Sequence, residues 1–349
     1  SFLSMASSLL SWGLSLVFTG LLVREVCRKV PRVDYRAIGA AAYLGLGSIW
    51  AFGLSSSAAL LMATPSAMPP KLLAQTGVIP LAQTIFTWQS CVCAVVLLLL
   101  SVAIAVFSCP PEERARTQED FGIRYVPLTV EETEGPARPG EWLERSRLLT
   151  VLVGAIGIGA LVVTFAEKGG LAALNLDVFN FAFVFAGLIL HGRPRSFLKA
   201  VAAAVPATTG VLIQFPFYAA IFGLISQTVV TQRLEELFVA LSTKGTFPLL
   251  VAGYSAFLGL FVPSGGGKWV IEAPYVMAAA RQFGVDPGWT VQIYNAAEAL
   301  PNLLNPFWML PLMGILSVRA RELAGYAILQ LLFHVPVVFL LSWLLARTF

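Results

Sequence analysis

The stretch FVPSGGGKWVIEAP, residues 261–274, sets a proline, a serine, three consecutive glycines, a lysine and a glutamate inside a long apolar run. Backbone polar groups freed at membrane depth must be satisfied within protein or by a water-lined cavity. The three glycines therefore read as a place where backbone N–H groups are presented to a ligand. A helix starting just after them would aim its positive dipole end at that place and favour an anion. Ser264 adds a hydroxyl donor. The competing reading is a packing device, small residues at a tight helix crossing.

Composition places this stretch in lipid. Of 349 residues, 57% are hydrophobic and only 12% charged, with a mean hydropathy of +0.79 and a net charge of +4. An ordinary soluble domain carries about a quarter charged residues. The chain is therefore expected to be an all-α polytopic membrane protein. Charge-free stretches long enough to cross a bilayer lie at 1–23, 37–70, 72–111, 148–166, 200–232, 245–267, 299–318 and 323–346, with a shorter one at 178–190. Residues 112–147 mix charges of both signs with Pro and Gly, in PPEERARTQED and EETEGPARPGE, and read as a solvated loop. The expected division is a first membrane repeat over 1–107, a cytoplasmic hydrophilic loop over 108–147 and a second membrane repeat over 148–349. Basic clusters at Arg24–Arg36, Arg193–Lys199 and Arg319–Arg321 fall on one side with that loop only if 1–23 and 247–281 are re-entrant hairpins.

A shift of 252 positions lays the first half on the end of the second. Gly13 falls on Gly265, Asp34 on Asp286 and Leu60 on Leu312. Each copy holds a glycine-interrupted apolar segment, LLSWGLSL or FVPSGGGKW, then a short polar turn, VPRVDY or FGVDPG. A long apolar segment broken near its middle follows, WAFGLSSSAAL or LPNLLNPFWML. The first turn is basic and the second is not, so the copies are expected to face opposite ways. Inverted repeats with paired broken segments characterise secondary transporters, whose sites lie near the midplane where the breaks meet. Residues 148–246 precede the second copy and nothing precedes the first, so the chain is expected to lack N-terminal helices.

The breaks supply the candidate binding groups. Ser264, Gly265, Gly266 and Gly267 form one wall. Ser55, Ser56 and Ser57, with Asn302 and Asn305, line the other, and Trp12, Gly13 and Trp269 give apolar contact. Lys268 either pairs with a substrate carboxylate or is neutralised by Glu272, four residues on. Glu298 is the only charge between Asp286 and Arg319 and is the candidate coupling carboxylate. Gln214 is a further polar residue in an uncharged run, while His191 and His334 read as interfacial and packed. Cys91 and Cys93 read as small hydrophobes. No catalytic triad, metal site or nucleotide loop is present, and SGGGK lacks the P-loop spacing, so an enzyme is not expected.

FVPSGGGKWVIEAP, ILS…YAILQLLF, GVLIQFPFY, REVCRKVPRVDY and NPFW all resemble patterns of the bacterial short-chain fatty acid transporter family, in family order along the chain, from about residue 10 to the C-terminus. Departures are Ser11 before Trp12-Gly13, a glycine-poorer AFGLSSS, and Asn305 in place of a common Gln. The resemblance implies uptake of small monocarboxylates such as acetoacetate or butyrate by alternating access across the inner membrane. No cofactor or metal is expected beyond a coupling H+ or Na+, because a lone anion at the midplane is costly. The expected partners are the substrate and the lipid bilayer, with no nucleic acid; homo-oligomerisation is left open. The rival readings are a carrier for dicarboxylates or another small organic anion, a membrane enzyme, and a non-transporting scaffold.

Overall fold

The structure, a computed structural model, describes residues 1–123, 140–205 and 209–349. The side chain of Gln214 and residues 124–139 of the 112–147 loop lie outside the described residues. The helices in chain order are α1 (Phe2–Leu10), α2 (Trp12–Lys29), α3 (Tyr35–Leu44), α4 (Ser57–Met62), α5 (Pro70–Thr76) and α6 (Trp88–Phe107). They continue as α7 (Glu141–Arg145), α8 (Arg147–Lys168), α9 (Leu176–His191), α10 (Pro194–Ala204), α11 (Thr209–Ser226) and α12 (Val230–Leu241). The last five are α13 (Phe247–Gly259), α14 (Gly265–Phe283), α15 (Pro287–Asn302), α16 (Leu310–Leu316) and α17 (Ala320–Leu345). Two compact units result: Ser1–Val126 with Leu224–Phe349, and Pro127–Gly223. Both members of the 252-residue correspondence lie in the first unit.

Among the described residues, four helical segments are long and apolar enough to cross a membrane: Tyr35–Met62, Trp88–Phe107, Arg147–Lys168 and Ala320–Thr348. A helix of 20 residues rises about 30 Å, the thickness of the hydrocarbon core. The chain is an all-α, multi-pass membrane protein. The charge-free windows did not set the element ends. The 72–111 stretch is a short helix, an extended segment and then α6, because Gly77 turns left-handed at φ 66° and Ile79 donates its N–H to Met62 instead. The 299–318 stretch is not one straight helix either. Pro287–Asn302 and Pro306–Leu316 meet at a 74° bend. The first of these carries Gln292, Asn295 and Glu298 in full burial, so its polar residues are hidden by protein rather than excluded from the helix.

Both glycine-interrupted segments are helical hairpins. α1 and α2 turn at the single extended residue Ser11, and Ser15 Oγ reaches back 2.7 Å to donate to the Ser4 carbonyl. α13 and α14 turn over residues 260–264, and the hydroxyls of Tyr254 and Tyr275 meet at 2.9 Å across the two arms. After each hairpin the chain turns left-handed, at Arg32 (φ 61°) and Gly284 (φ 62°). Two residues later an aspartate caps the next helix. Asp34 accepts from the Arg36 and Ala37 amides, and Asp286 from Trp289 N at 2.7 Å. Each of these pairs of positions is 252 residues apart. Past Asp34, α3 passes into a π turn over Gly45–Ile49, where the Ser4 and Thr19 hydroxyls both donate to the Ala42 carbonyl. Hydroxyls from the hairpin thus satisfy a carbonyl at the edge of an irregular turn.

The Asp34 cap does more than its counterpart. Burial opposes its charge, yet the Arg36 guanidinium and the amides of Arg116 and Ala37 outweigh that and hold its carboxyl below the usual carboxylate range. Its folded-state pKa is depressed, so its contribution is complete above the unfolded value and lost as pH falls through the folded one. Asp286→Ala should lower stability by about 1 kcal/mol, the usual worth of a cap. Asp34→Ala should cost more, since it also releases Arg116 N, held at 3.0 Å; thermal melts of the purified variants check the order.

In the second unit, α8 and α9 pack closely where Gly157 faces the Phe185 ring, and Glu141 bonds Arg145 at 2.7 Å and Arg195 at 3.1 Å.

Candidate functional site

The three glycines are not unwound. Ser264 is extended (φ −151°), and its Oγ accepts from Gly267 N at 3.3 Å while its carbonyl accepts from Lys268 N at 2.8 Å. A serine cap with that geometry starts the helix at Gly265, so the glycines form the first turn of α14. The expectation of a helix beginning after them is corrected accordingly. First-turn amides have no partner within their own helix, and the positive end of α14 falls on half-buried Gly265, Gly266 and Gly267.

The second hairpin's tip meets the break in the first copy. A Cβ built on Gly265 would lie 2.6 Å from the Trp50 ring, and one on Gly266 would lie 3.4 Å from Ser57 Cβ. The first hairpin's tip touches both breaks. Trp12 packs edge-on against Trp308, with ring centroids 5.4 Å apart. On its own side, Ser55 Oγ accepts from Trp12 N at 2.7 Å and donates to the Ser8 carbonyl at 2.8 Å, and Leu54 N donates to Leu9 O at 2.7 Å. Gly53 lies so close to Leu9 that a Cβ there would sit 2.2 Å from the Leu9 carbonyl oxygen. The site is thus assembled from two hairpin tips and two breaks.

Individual candidates differ in what they have free. Ser56 Oγ is buried and has no hydrogen-bond partner among the described residues, while the Ser55 hydroxyl is engaged twice. Gly13 has open space beside it. Asn302 offers its carbonyl to the Tyr43 hydroxyl at 2.9 Å, and Asn305 caps the Pro306–Met309 turn through Phe307 N. Trp269 is fully buried, 4.6 Å from the Tyr294 ring, so apolar contact from this site falls to Trp12, Trp50 and Trp308.

Lys268 is the largest departure. It is fully buried and in contact with Glu298, with Glu272 Oε1 at 3.4 Å. Of the two readings open in the sequence, neutralisation by carboxylates is the one the geometry takes, with Glu298 as the closer partner. Ser255 Oγ donates to Glu272 Oε2 at 2.6 Å, and Tyr294 donates its hydroxyl to Gly265 O at 2.5 Å. Sequence reading missed Ser255 and Tyr294. It also missed a row of buried amides, in which Asn295 Nδ2 donates to Gln292 Oε1 at 2.7 Å and Gln292 Nε2 to Ser90 Oγ at 3.0 Å. Polar residues recurring every three positions through 292, 295 and 298 were the available signal. His334 is packed between Ser101 and Gln330, and His191 is exposed. Among the described residues no group of three His, Cys, Asp or Glu side chains has metal-site geometry.

Residues 1–345 match the family model described as "Short chain fatty acid transporter". Two relatives carry the name "Putative short-chain fatty acid transporter". The Escherichia coli (strain K12) protein is 34% identical over 333 residues, spanning 95% of this chain and 74% of its own length. The Haemophilus influenzae protein is 30% identical over 341 residues, spanning 97% and 76%. A solved structure, that of the Alcanivorax borkumensis YdaH transporter with what is described as an unusual topology, aligns at a TM-score of 0.49 and 14% identity, covering 97% of this chain and 80% of that one.

Proposed function

Because the chain belongs to the short-chain fatty acid transporter family, we propose that it is a secondary active carrier of small monocarboxylates such as acetoacetate or butyrate in the inner membrane. It is a transporter and not an enzyme. The two copies run in opposite senses, and alternating access moves one hairpin-and-break assembly against the other. The substrate carboxylate docks on the first-turn amides of Gly265 and Gly266, beside Ser264, whose Oγ already holds the Gly267 amide. Ser56, Ser57, Asn302 and Asn305 lie opposite, Gly13 leaves room, and Trp12 contacts the short alkyl tail. A cation, H+ or Na+, travels with the anion, and Glu298 is its candidate carrier.

The observation that supports this reading best is the half-buried, glycine-built start of α14 facing Ser57 of the other copy. Amides and a helix dipole there attract one anionic group. A dicarboxylate would need a second cationic anchor, and Lys268, the basic residue beside the breaks, is already held by two carboxylates. Reconstituted protein should therefore exchange labelled acetoacetate for unlabelled acetoacetate or butyrate, and not for succinate, once leak through protein-free liposomes is subtracted. Gly266→Leu fills the space beside Ser57 and should lower that exchange at least about tenfold, the effect of about 1.4 kcal/mol. Equal exchange with succinate, or an unaffected Gly266→Leu, would refute the assignment.

A further inference from the structure

Three ionisable side chains are sealed together where α13, α14 and α15 meet. Lys268 and Glu272 are 0% exposed and Glu298 is 2% exposed. Fully ionised, they hold one positive against two negative charges. The groups in contact with them are neutral, and α12, packed on α14, presents the Phe238 ring to Tyr254 and Tyr275 while its Arg233 and Glu236 pair with each other in the open. α13 contributes Ser255 and Tyr254, α14 contributes Tyr275, and the Tyr294 ring of α15 lies 4.9 Å from the Lys268 ammonium. The backbone of Gly259 closes the remaining side. A Cβ there would be 2.6 Å from Pro301 Cγ, 2.9 Å from Glu298 Oε2 and 3.2 Å from Lys268 Nζ. Among the described residues no second basic side chain pairs with either glutamate, and neither Glu272 Oε1 nor Glu298 Oε2 accepts a well-formed hydrogen bond.

An uncompensated charge in dry protein is not sustained; the group takes up a proton instead. We propose that Glu272 and Glu298 share one exchangeable proton opposite Lys268, and that this proton is the cation that accompanies the substrate carboxylate. The second half of this rests on the transport reading above; the first does not. A metal ion is disfavoured because the ammonium already stands at contact distance from both carboxylates, where it would repel another cation. The chemistry is a plain transfer. A carboxylate oxygen takes H+ from water on one side of the membrane, forming an O–H bond, and returns it to water on the other; Lys268 keeps its protons throughout. The two carboxylates titrate as one unit.

Two features tie this proton to the substrate. Lys268 follows Gly267 directly, so an anion on the first turn of α14 lies within about one helical turn, roughly 5 Å of rise, of the triad. Its negative charge favours protonation of the carboxylate pair, and by reciprocity the proton strengthens anion binding by the same factor. A polar row also leads to the triad along α15. Ser90 Oγ donates to Thr84 O at 2.7 Å and accepts from Gln292, which accepts from Asn295. Asn295 Oδ1 is buried with no partner among the described residues, one turn from Glu298 on the same face.

Infrared spectra of the full chain in lipid nanodiscs test the shared proton without any substrate. The wild type should show a buried protonated-carboxyl stretch that shifts in D2O. Both Glu272→Gln and Glu298→Gln should lose it, because Lys268 with a single carboxylate is already neutral. A band that survives in both variants, or a wild type without one, overturns the proposal. If a variant does not fold, the wild-type spectrum still decides. Proteoliposomes holding a pH dye then count the cation. Wild-type acetoacetate uptake, corrected for leak, should carry about one proton per substrate and be unaffected by Na+. Uptake driven by Na+ without proton movement overturns the coupling. A carboxyl band with no transport of any short-chain carboxylate would sink the transport reading and leave the shared proton standing.

Discussion

Lys268→Met should cost about 3–5 kcal/mol, the range for breaking a buried pair by removing one partner. The methionine fits the space roughly but leaves Glu272 and Glu298 facing each other with no cation, in a site with exposures of 0% and 2%. Melting temperature in detergent and the yield of monodisperse protein report the loss. Packing and charge are separated by the triple variant Lys268→Met, Glu272→Gln, Glu298→Gln, which buries no charge. Replacing a buried ionic cluster by neutral groups is often neutral or stabilising, so the triple variant should recover most of what the single one loses. A single variant that melts within about 1 kcal/mol of wild type would mean that the lysine is not the counter-charge.

Gly53→Ala should be nearly as severe, for a reason that has nothing to do with charge. The added Cβ would lie 2.2 Å from Leu9 O, 2.4 Å from Leu9 Cα and 2.6 Å from Leu9 C. These are backbone atoms, and no rotamer moves them aside. Gly53 has φ −119°, so the glycine is required by this close approach and not by a left-handed turn. Moving the hairpin tip away strains the bonds Leu54 N to Leu9 O, Trp12 N to Ser55 Oγ and Ser55 Oγ to Ser8 O. At about 1 kcal/mol each, their loss amounts to about 3 kcal/mol and frees the tip from the break. Gly13→Ala, two residues from the same turn, meets nothing within 4 Å and should change stability by less than about 0.5 kcal/mol. Equal melts for the two variants would show that the tip is not held at Gly53.

The hairpins were legible in the sequence because their signals are local. Ser11 and Ser264 sit where a helix can be capped, the glycines follow, and the aspartates at 34 and 286 mark the next helix starts. The same locality explains what was misread. Proximity of Gly265–Gly267 to Pro263 suggested open backbone, whereas the Ser264 cap lets glycine join the helix at small cost. Trp269 was assigned to the cavity by its neighbours in sequence, but one helical position turns a side chain by about 100°, enough to bury it against Tyr294.

Membrane class, the positions of both hairpins and both breaks, the 252-residue correspondence and the family resemblance follow from the sequence by itself, because composition, caps and interruptions act within a few residues. Only the tertiary structure decided which carboxylate holds Lys268, that Ser57 faces Gly266, and that Gln292, Asn295 and Glu298 form a buried row. Those contacts join residues as far as 209 positions apart, as Ser57 and Gly266 are. Such partners are chosen by which helix faces pack together, and one turn of register would exchange one set for another.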